Sequence, residues 1–173
     1  MHYQPCTYKN AAPAILEILN DAIINSTALY DYKPRSLDSM VTWFKAKEDG
    51  QYPVIGAFNE DERLLGFASY GAFRNWPAYK YTVEHSVYIH KECRGKGFGI
   101  ALMRRLVEEA RRQQYHVMVG GIDALNDVSR SLHEKLGFSH AGTIKQAGFK
   151  FGRWLDLSFY QLTLDTPSEP ADG

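Results

Sequence analysis

The chain has few of the residues that mark a secreted or membrane-bound protein. Only two of its 173 residues are cysteine, Cys6 and Cys93, which is too few for a disulfide framework. It contains no apolar run of roughly 18 residues or more that could span a membrane. The first residues, MHYQP, lack the basic segment and the apolar run of a signal peptide. We therefore expect a cytoplasmic protein that has no membrane as a partner.

The chain also lacks an excess of charge of either sign. Lys+Arg and Asp+Glu number 20 each, so the formal net charge is zero. A protein whose main partner is nucleic acid needs a basic excess, so no nucleic acid is expected as a partner. Hydrophobic residues make up 45% of the chain, and its length suits one domain. We place that domain at residues 1–165 and expect residues 166–173, which hold two prolines and no apolar run, to be a disordered tail.

A glycine-rich turn is the most informative segment. Residues 86–89 read as a strand, Arg94–Gly99 has the sequence RGKGFG, and an amphipathic helix follows. Glycines let the backbone approach a ligand closely, and the first N–H groups of a helix point at it, so this arrangement suits a phosphate. The spacing is not the G-x-G-x-x-G of a dinucleotide fold, and Lys96 is not followed by the Ser or Thr of a P-loop.

The R-x-x-G-x-G motif at Arg94–Gly99 resembles the acetyl-coenzyme A loop of the GCN5-related N-acetyltransferases (GNAT). The predicted order β-α-α-β-β-β-α-β-α-β-β is that of this superfamily, which implies an α/β (α+β) fold with a mixed central sheet flanked by helices. One helix separates the strands at 81–90 and 117–122, so we expect these two strands to be parallel. The predicted strands are 3–9, 54–58, 64–70, 81–90, 117–122, 138–144 and 154–164, and the predicted helices are 11–24, 36–48, 97–113 and 126–136.

Three stretches narrow the resemblance to one branch of the superfamily. Thr82–Tyr88, Leu132–Phe138 and Gly148–Asp156 resemble the phosphinothricin and the methionine sulfoximine/methionine sulfone N-acetyltransferases. The loop Arg74–Tyr79 is closer to the methionine sulfoximine members. The resemblance implies transfer of an acetyl group from acetyl-CoA to the α-amino group of a small glutamate- or methionine-like amino acid. It also implies a detoxifying role, a homodimer and no metal.

The resemblance implies a set of residues for the coenzyme. Backbone groups of the strand that precedes the loop should meet the pantetheine arm as another strand would, and one N–H can polarise the thioester carbonyl. Asn126 should contact the coenzyme arm, although a helix N-cap is an equally good reading of this residue. The predicted cofactor-binding residues are Val87, Tyr88, Ile89, Arg94, Gly95, Lys96, Gly97, Phe98, Gly99, Ile100 and Asn126.

Two residues are candidates for the base that takes a proton from the substrate amine. Glu84, at the end of the strand that leads to the loop, could act directly or through water; an exposed strand-end glutamate or an ion pair is the alternative reading. His133 titrates in the right range, but a buried histidine with a hydrogen-bond partner is the alternative. Many acetyltransferases use a tyrosine near this point as general acid, and here Phe138 has no proton to give. The predicted substrate-binding residues are Phe73, Arg74, Asn75, Glu84, His85 and Ser86.

Two other functions remain open at this point. An acetyltransferase for protein N-termini or lysines would need an open, acidic groove, whereas the aromatic loops here favour a small closed pocket. A coenzyme A-binding sensor without catalysis would lack a base, whereas Glu84 is present. The fork of the Arg74 guanidinium matches a carboxylate or phosphinate of an amino acid substrate, and a solvated loop arginine is an equally good reading of this residue.

Overall fold

A computed structural model describes residues 1–172 of the chain. The order of helices and strands is the predicted one, and short 3₁₀ turns occur at Pro77–Tyr79 and Lys91–Cys93. No described helix is both long and apolar enough to cross a membrane. The elements are β1 (His2–Pro5), α1 (Tyr8–Asn25), α2 (Leu37–Asp49), β2 (Val54–Phe58), β3 (Leu64–Ala72), β4 (Thr82–Ile89), α3 (Phe98–Arg112), β5 (Val117–Asp123), α4 (Asp127–Lys135), β6 (Ser139–Lys150) and β7 (Arg153–Thr163).

The strands form a seven-stranded mixed sheet in the order β1-β2-β3-β4-β5-β7-β6. β1, β2 and β3 pair antiparallel, as do β5 with β7 and β7 with β6. β4 and β5 are parallel over three register pairs, from Thr82 opposite Val117 to Glu84 opposite Val119. The α/β class and the parallel pair predicted from the crossover helix are thus confirmed.

The chain divides into two compact units. The first comprises Met1–Ser69 with Ser86–Leu106, and the second comprises Tyr70–His85 with the chain from Val107 onward. In the first unit, the apolar faces of α1 and α2 bury Ile15 and Phe44 in a cluster with Phe67 of β3. In the second unit, the fully buried side chains include Tyr70, Met118 and Leu155.

The first strand is shorter than the sequence suggests, so the predicted strand 3–9 is wrong beyond Pro5. Thr7 caps α1 instead: its Oγ1 accepts a hydrogen bond from the Asn10 backbone N–H, and Asn10 Oδ1 accepts one from the Thr7 N–H. This is a capping box with Asn in place of the usual Glu or Gln at the third helical position. Because Asn is unusual at this position, the sequence pattern did not indicate a helix beginning at Tyr8.

β6 is longer than expected, because it continues through a bulge rather than ending at Ile144. Gln146, at φ 54°, donates its backbone N–H to Asp156 Oδ1 at 2.9 Å. Pairing resumes at Gly148, and the hairpin closes at Phe151 and Gly152, whose φ angles of 51° and 72° are those of a tight hairpin turn. A residue pattern broken by a bulge does not alternate, so periodicity alone ends the strand too early.

From the end of β7 to residue 172 the chain contains neither helix nor strand, but it makes hydrogen bonds. Thr166 Oγ1 donates to the Tyr115 carbonyl, and the Ala171 N–H donates to the Tyr81 hydroxyl at 3.1 Å. The boundary of the domain at residue 165 and the disorder of the tail stay predictions.

The capping box gives a prediction for stability. Thr7→Ala removes the acceptor for the Asn10 N–H, so the free energy of unfolding should fall by about 1 kcal/mol. Urea denaturation followed by circular dichroism measures this change. Thr42→Ala, at an exposed position inside α2, is the matched control and should not lower stability. Equal stability of Thr7→Ala and the parent protein would show that the cap contributes nothing.

Candidate active site

The glycine loop of the first unit has the backbone of an anion site. Gly95 and Gly97 have φ angles of 76° and 83°, and a Cβ at either position would meet nothing within 4 Å. The first hydrogen bond of α3 runs from the Ala101 N–H to the Gly97 carbonyl. The N–H groups of Phe98, Gly99 and Ile100 precede this bond and have no acceptor in their own helix. Open space and unshared amides at a helix N-terminus suit a pyrophosphate.

The side chain of Arg94 has a different task from the loop backbone. Its Nη2 forms an ion pair with Asp21 Oδ2 at 2.8 Å, and its Nε donates to the Ile89 carbonyl at 3.3 Å. Lys96 is exposed, and its Nζ donates to the Glu92 carbonyl at 3.2 Å. The Arg94 side chain therefore ties the loop to α1 and to the end of β4, and the groups left to meet an anion are backbone amides.

The strand that leads into the loop carries the other predicted coenzyme residues. Val87, Tyr88 and Ile89 are half-buried and lie beyond the parallel ladder, which reaches Glu84. The Tyr88 ring packs against Phe67 with ring centres 5.5 Å apart. A Cβ on Gly66 would lie 2.8 Å from the Tyr88 carbonyl oxygen, so a glycine there lets β3 and β4 approach closely. This part of β4 is therefore packed closely against β3.

Glu84 lies in the second unit and is half-buried; it is the third residue of β4, so the expectation that it stands at the end of the strand is wrong. A Cβ on Gly121 of β5 would be 3.2 Å from Glu84 Oε1, so the carboxylate lies over a position without a side chain. Burial raises the pKa of Glu84 above its usual value, and the positive charge of Arg74 partly opposes that rise. Within the described part of the chain the carboxylate makes no hydrogen bond or ion pair. It is a carboxylate with raised basicity and free oxygens.

His85 and His133 form a buried pair in the same unit. Their Nε2 atoms are 2.9 Å apart, and the rings stack with centres 4.9 Å apart. His133 Nδ1 lies 2.6 Å from the Ser129 carbonyl one turn earlier in α4. The rings of Phe138 and Tyr160 pack around His133 at 5.1 and 5.9 Å between centres. The reading of His133 as a buried histidine with a partner therefore describes its surroundings, and its role in catalysis stays a prediction.

Burial lowers the pKa of both histidines. The pKa of His85 falls to about 3, first because burial penalises the charged ring and then because His133 would carry a like charge. The pKa of His133 is also lowered by burial, but its hydrogen bond to Ser129 opposes the shift. Burial thus favours the neutral form of both rings, and the hydrogen bond to Ser129 favours His133 over His85 as the place for a proton.

The predicted substrate residues of the loop after β3 lie together. Phe73, Arg74 and Asn75 line a pocket of about 460 Å³ with Trp76, which was not among the predicted site residues. The Arg74 guanidinium stacks over the Phe73 ring at 4.4 Å and donates to the Phe73 carbonyl at 3.0 Å. Phe159 of β7 packs edge-on against Phe73, a contact that only the fold could reveal.

The remaining predicted residues have simpler surroundings. Alternation along β4 places Ser86 on the same side of the strand as Glu84 and turns His85 to the other side. Asn126 caps α4, since its Oδ1 accepts from the Ser129 N–H at 3.0 Å, which confirms the N-cap reading and leaves the coenzyme contact as a prediction. Among residues 1–172, no group of three or more His, Cys, Asp or Glu side chains is placed to hold a metal ion.

Comparisons with known proteins agree with this geometry. The model of the acetyltransferase (GNAT) family matches residues 14–138. The L-methionine sulfoximine/L-methionine sulfone acetyltransferase of Pseudomonas paraeruginosa is 46% identical over 159 residues, which cover 91% of this chain and 92% of the relative. A provisionally assigned acetyltransferase of Acinetobacter baylyi superposes with a TM-score of 0.99 at 63% identity, covering 99% of this chain and 97% of that one.

A third relative was solved with the coenzyme. The GNAT superfamily phosphinothricin acetyltransferase of Sinorhizobium meliloti, in complex with acetyl-CoA, superposes with a TM-score of 0.93 at 34% identity. The match covers 99% of this chain and 94% of that one. The anion loop, the strand before it and the matching family model lead to one conclusion: this chain belongs to the GNAT family of acetyltransferases.

Proposed function

We propose that the protein transfers an acetyl group from acetyl-CoA to the α-amino group of a small glutamate- or methionine-like amino acid. Methionine sulfoximine, methionine sulfone and phosphinothricin are the candidate substrates, and acetylation would detoxify them. Glu84 carries the proposal, because a free, half-buried carboxylate of raised pKa is what removal of a proton from an ammonium group requires. The kinship with methionine sulfoximine/sulfone and phosphinothricin acetyltransferases supports the choice of substrate.

The coenzyme half of the proposal rests on the first unit. The amides of residues 97–100 and the space at Gly95 and Gly97 fit a pyrophosphate, and the backbone of Val87–Ile89 fits the pantetheine arm as an added strand. Bound acetyl-CoA supplies an activated acetyl group. A backbone N–H in this stretch would stabilise negative charge on the thioester oxygen without any change in its own position.

The substrate half rests on the second unit. Arg74 offers two parallel N–H groups to a carboxylate or phosphinate, and stacking on Phe73 holds the guanidinium plane. Glu84 takes a proton from the substrate ammonium and so leaves a nitrogen lone pair able to attack. In this arrangement the acid group of a zwitterionic amino acid pairs with Arg74, and its ammonium group pairs with Glu84.

The alternative substrates make different demands on the pocket. A protein N-terminus or a lysine side chain brings no free carboxylate of its own to Arg74, and a sensor has no use for a basic carboxylate. Release of free thiol from acetyl-CoA separates the three functions, with methionine sulfoximine, methionine sulfone, phosphinothricin, natural amino acids and a short peptide as acceptors. Turnover of the peptide alone, or of no acceptor, would contradict the proposal.

The compartment and the assembly are part of the proposal. Both cysteines are buried and free, which fits a reducing cytoplasm.

β6 is the last strand of the sheet order, and the β6–β7 hairpin exposes 46–59% of the surface of four large apolar side chains, Ile144, Phe149, Phe151 and Trp154. An apolar edge strand of this length invites pairing, and we propose that a second copy of the chain covers it in a homodimer.

The coenzyme loop gives the first prediction. Gly97→Asp adds a negative charge and a side chain where the phosphates would lie, so acetyl-CoA affinity should fall at least tenfold, on the order of 1.4 kcal/mol. Calorimetric titration with acetyl-CoA measures the loss. Gly97→Asn has the same shape and the same backbone strain without the charge, and should retain more affinity than Gly97→Asp. Unchanged affinity in a folded Gly97→Asp protein would remove the loop from the site.

Glu84 gives the second prediction. Glu84→Gln keeps the shape but not the basic oxygen, so kcat/KM for methionine sulfoximine should fall by ~10²–10⁴-fold while acetyl-CoA affinity holds. Because burial raises the pKa of Glu84, activity in the parent protein should decline with acid at a pH above 4.5, the usual value for Glu, as the carboxylate is protonated. In Glu84→Gln this acid limb should flatten or move.

The controls for Glu84 separate a base from a binding group. Glu108→Gln, at an exposed position on α3, should leave rate and pH profile unchanged. If Glu84 only grips the ammonium, KM should rise with kcat intact and the acid limb should persist. Full kcat in Glu84→Gln together with a loss in His133→Ala would transfer the role of base to the histidine. Full activity in both variants would mean that the enzyme works mainly by holding its two substrates together.

The exposed hairpin gives the third prediction. Sedimentation at micromolar concentration should show a dimer for the parent protein. Trp154→Asp places a charge in the apolar patch and should shift the equilibrium to the monomer. Val41→Asp, a similar exposed apolar position on α2, should remain a dimer. A monomeric parent protein, or a fully dimeric Trp154→Asp variant, would contradict this assembly.

A further inference from the structure

The hydrogen bonds of the buried histidine pair determine where its protons lie. The Ser129 carbonyl can only accept, so His133 Nδ1 at 2.6 Å carries a hydrogen. In a neutral ring His133 Nε2 is then a bare acceptor, and His85 Nε2 at 2.9 Å must carry the hydrogen that joins the rings. His85 Nδ1 is therefore the second bare nitrogen of the pair.

His133 has no nitrogen free to meet a substrate. One is occupied by Ser129 and the other by His85, and the ring is only 2% exposed. His85 Nδ1, by contrast, is buried and has no hydrogen-bond partner among the described residues. A buried acceptor without a partner is rare in native proteins, because it has lost its bonds to water. It is the one acceptor of the pair that the described residues leave without a donor.

We propose that His85 and His133 form a two-histidine proton relay in which His85 Nδ1 exchanges the proton and His133 holds it. The relay rests on the proposed acetyl transfer, during which a nitrogen–carbon bond forms and the carbon–sulfur bond breaks. The nitrogen of the ammonium then gives up two protons, the sulfur takes one, and one proton leaves. Any proton that His133 takes from or returns to this reaction passes through His85.

The proton step itself balances within the pair. A proton binds to the lone pair of His85 Nδ1, the His85 Nε2–H bond breaks, and a bond forms between that hydrogen and His133 Nε2. His85 ends as the neutral Nδ1–H form, and the single positive charge lies on His133. There it donates to Ser129 and lies in the last turn of α4, where the helix dipole favours a cation. The hydrogen bond to Ser129, which opposes the fall in the pKa of His133, agrees with this position of the charge.

The surroundings of the pair permit one charge and not two. Phe138 packs on both rings, and a Cβ on Gly120 would lie 2.6 Å from His85 Nε2 and 2.8 Å from His133 Nε2. Tyr160, whose ring packs on His133, carries an ionisable hydroxyl 3.4 Å from Glu134 Oε1 and near the guanidinium of Arg130. A side chain at Gly120 would push the two Nε2 atoms apart. Two positive charges on rings joined at 2.9 Å would repel each other, so the pair carries at most one proton beyond its neutral form.

The first test reads the hydrogens directly and does not depend on activity. Long-range proton–nitrogen NMR spectra of protein labelled with ¹⁵N-histidine should show His133 as the Nδ1–H form and His85 as the Nε2–H form at pH 7. Either ring in the opposite form would overturn the relay. A protein that acetylates none of the proposed amino acids but shows both expected forms would contradict the proposed function and leave the relay intact.

The second test separates relay from packing. In His85→Gln the amide N–H can still donate to His133 Nε2, so His133 should keep its Nδ1–H form, but an amide passes no proton. With methionine sulfoximine as acceptor, we expect kcat to fall at least tenfold in His85→Gln and by a similar factor in His133→Gln. The double variant should fall no further, because the two residues act as one unit. Acetyl-CoA affinity should hold in all three.

The controls make each outcome informative. His116→Gln changes an exposed histidine and should keep the parent rate. A His85→Gln protein with the parent kcat would overturn the relay, and so would losses that multiply in the double variant. His85→Phe keeps a ring of similar size but removes the donor to His133 Nε2; the Ser129 carbonyl still holds the Nδ1–H form, so the Nε2 resonance of His133 should shift while its Nδ1–H form stays. An unchanged His133 Nε2 resonance in this variant would show that His85 donates no hydrogen bond to it, and would overturn the relay.

Discussion

The alternation of side chains along β4 is the constraint on which this site depends. Glu84 and His85 are neighbours in the chain but point to opposite faces of the sheet, so one strand presents a carboxylate on one face and an imidazole on the other. Each of the two side chains lies against a glycine of β5: Gly121 faces Glu84 and Gly120 faces His85. Two successive glycines on one strand thus make room on both faces at once. A side chain at either position would displace one of the two titratable groups.

The same strand leads from Glu84 to the glycine loop by main chain alone. After Ser86 it continues to Ile89 and, through a short 3₁₀ turn, to the glycine loop. The loop is fixed from outside by the ion pair between Arg94 and Asp21, which leaves its amides unoccupied. Rigid β4 geometry and a tied loop are what a preorganised site requires, because the groups that stabilise charge need not move during reaction.

Much of this arrangement could be predicted from the sequence, for identifiable reasons. Hydrophobic spacing predicted segments such as α3 and β2, and the glycine motif at Arg94–Gly99 predicted an anion site. What escaped prediction depends on contacts between distant residues. The hydrogen bond of His85 to His133 joins residues 48 positions apart, and neither residue type nor spacing indicates it. The bulge in β6 likewise depends on Asp156 of the neighbouring strand, and the start of α1 was missed because Asn10 is an unusual partner for a capping threonine.

The glycine loop has a consequence for how this protein can diverge. The groups that it offers to an anion are main-chain amides, and the charged side chain at its start, Arg94, already pairs with Asp21. Replacement of most side chains in the loop would therefore leave the binding groups in place, whereas only the glycine positions and the fold of β4 are indispensable. Amides that recognise phosphate cannot tell one phosphorylated carrier from another. In the proposed site, selection among carriers would fall instead to the stretch Val87–Ile89, so drift in the loop alone would change the identity of the donor molecule very little.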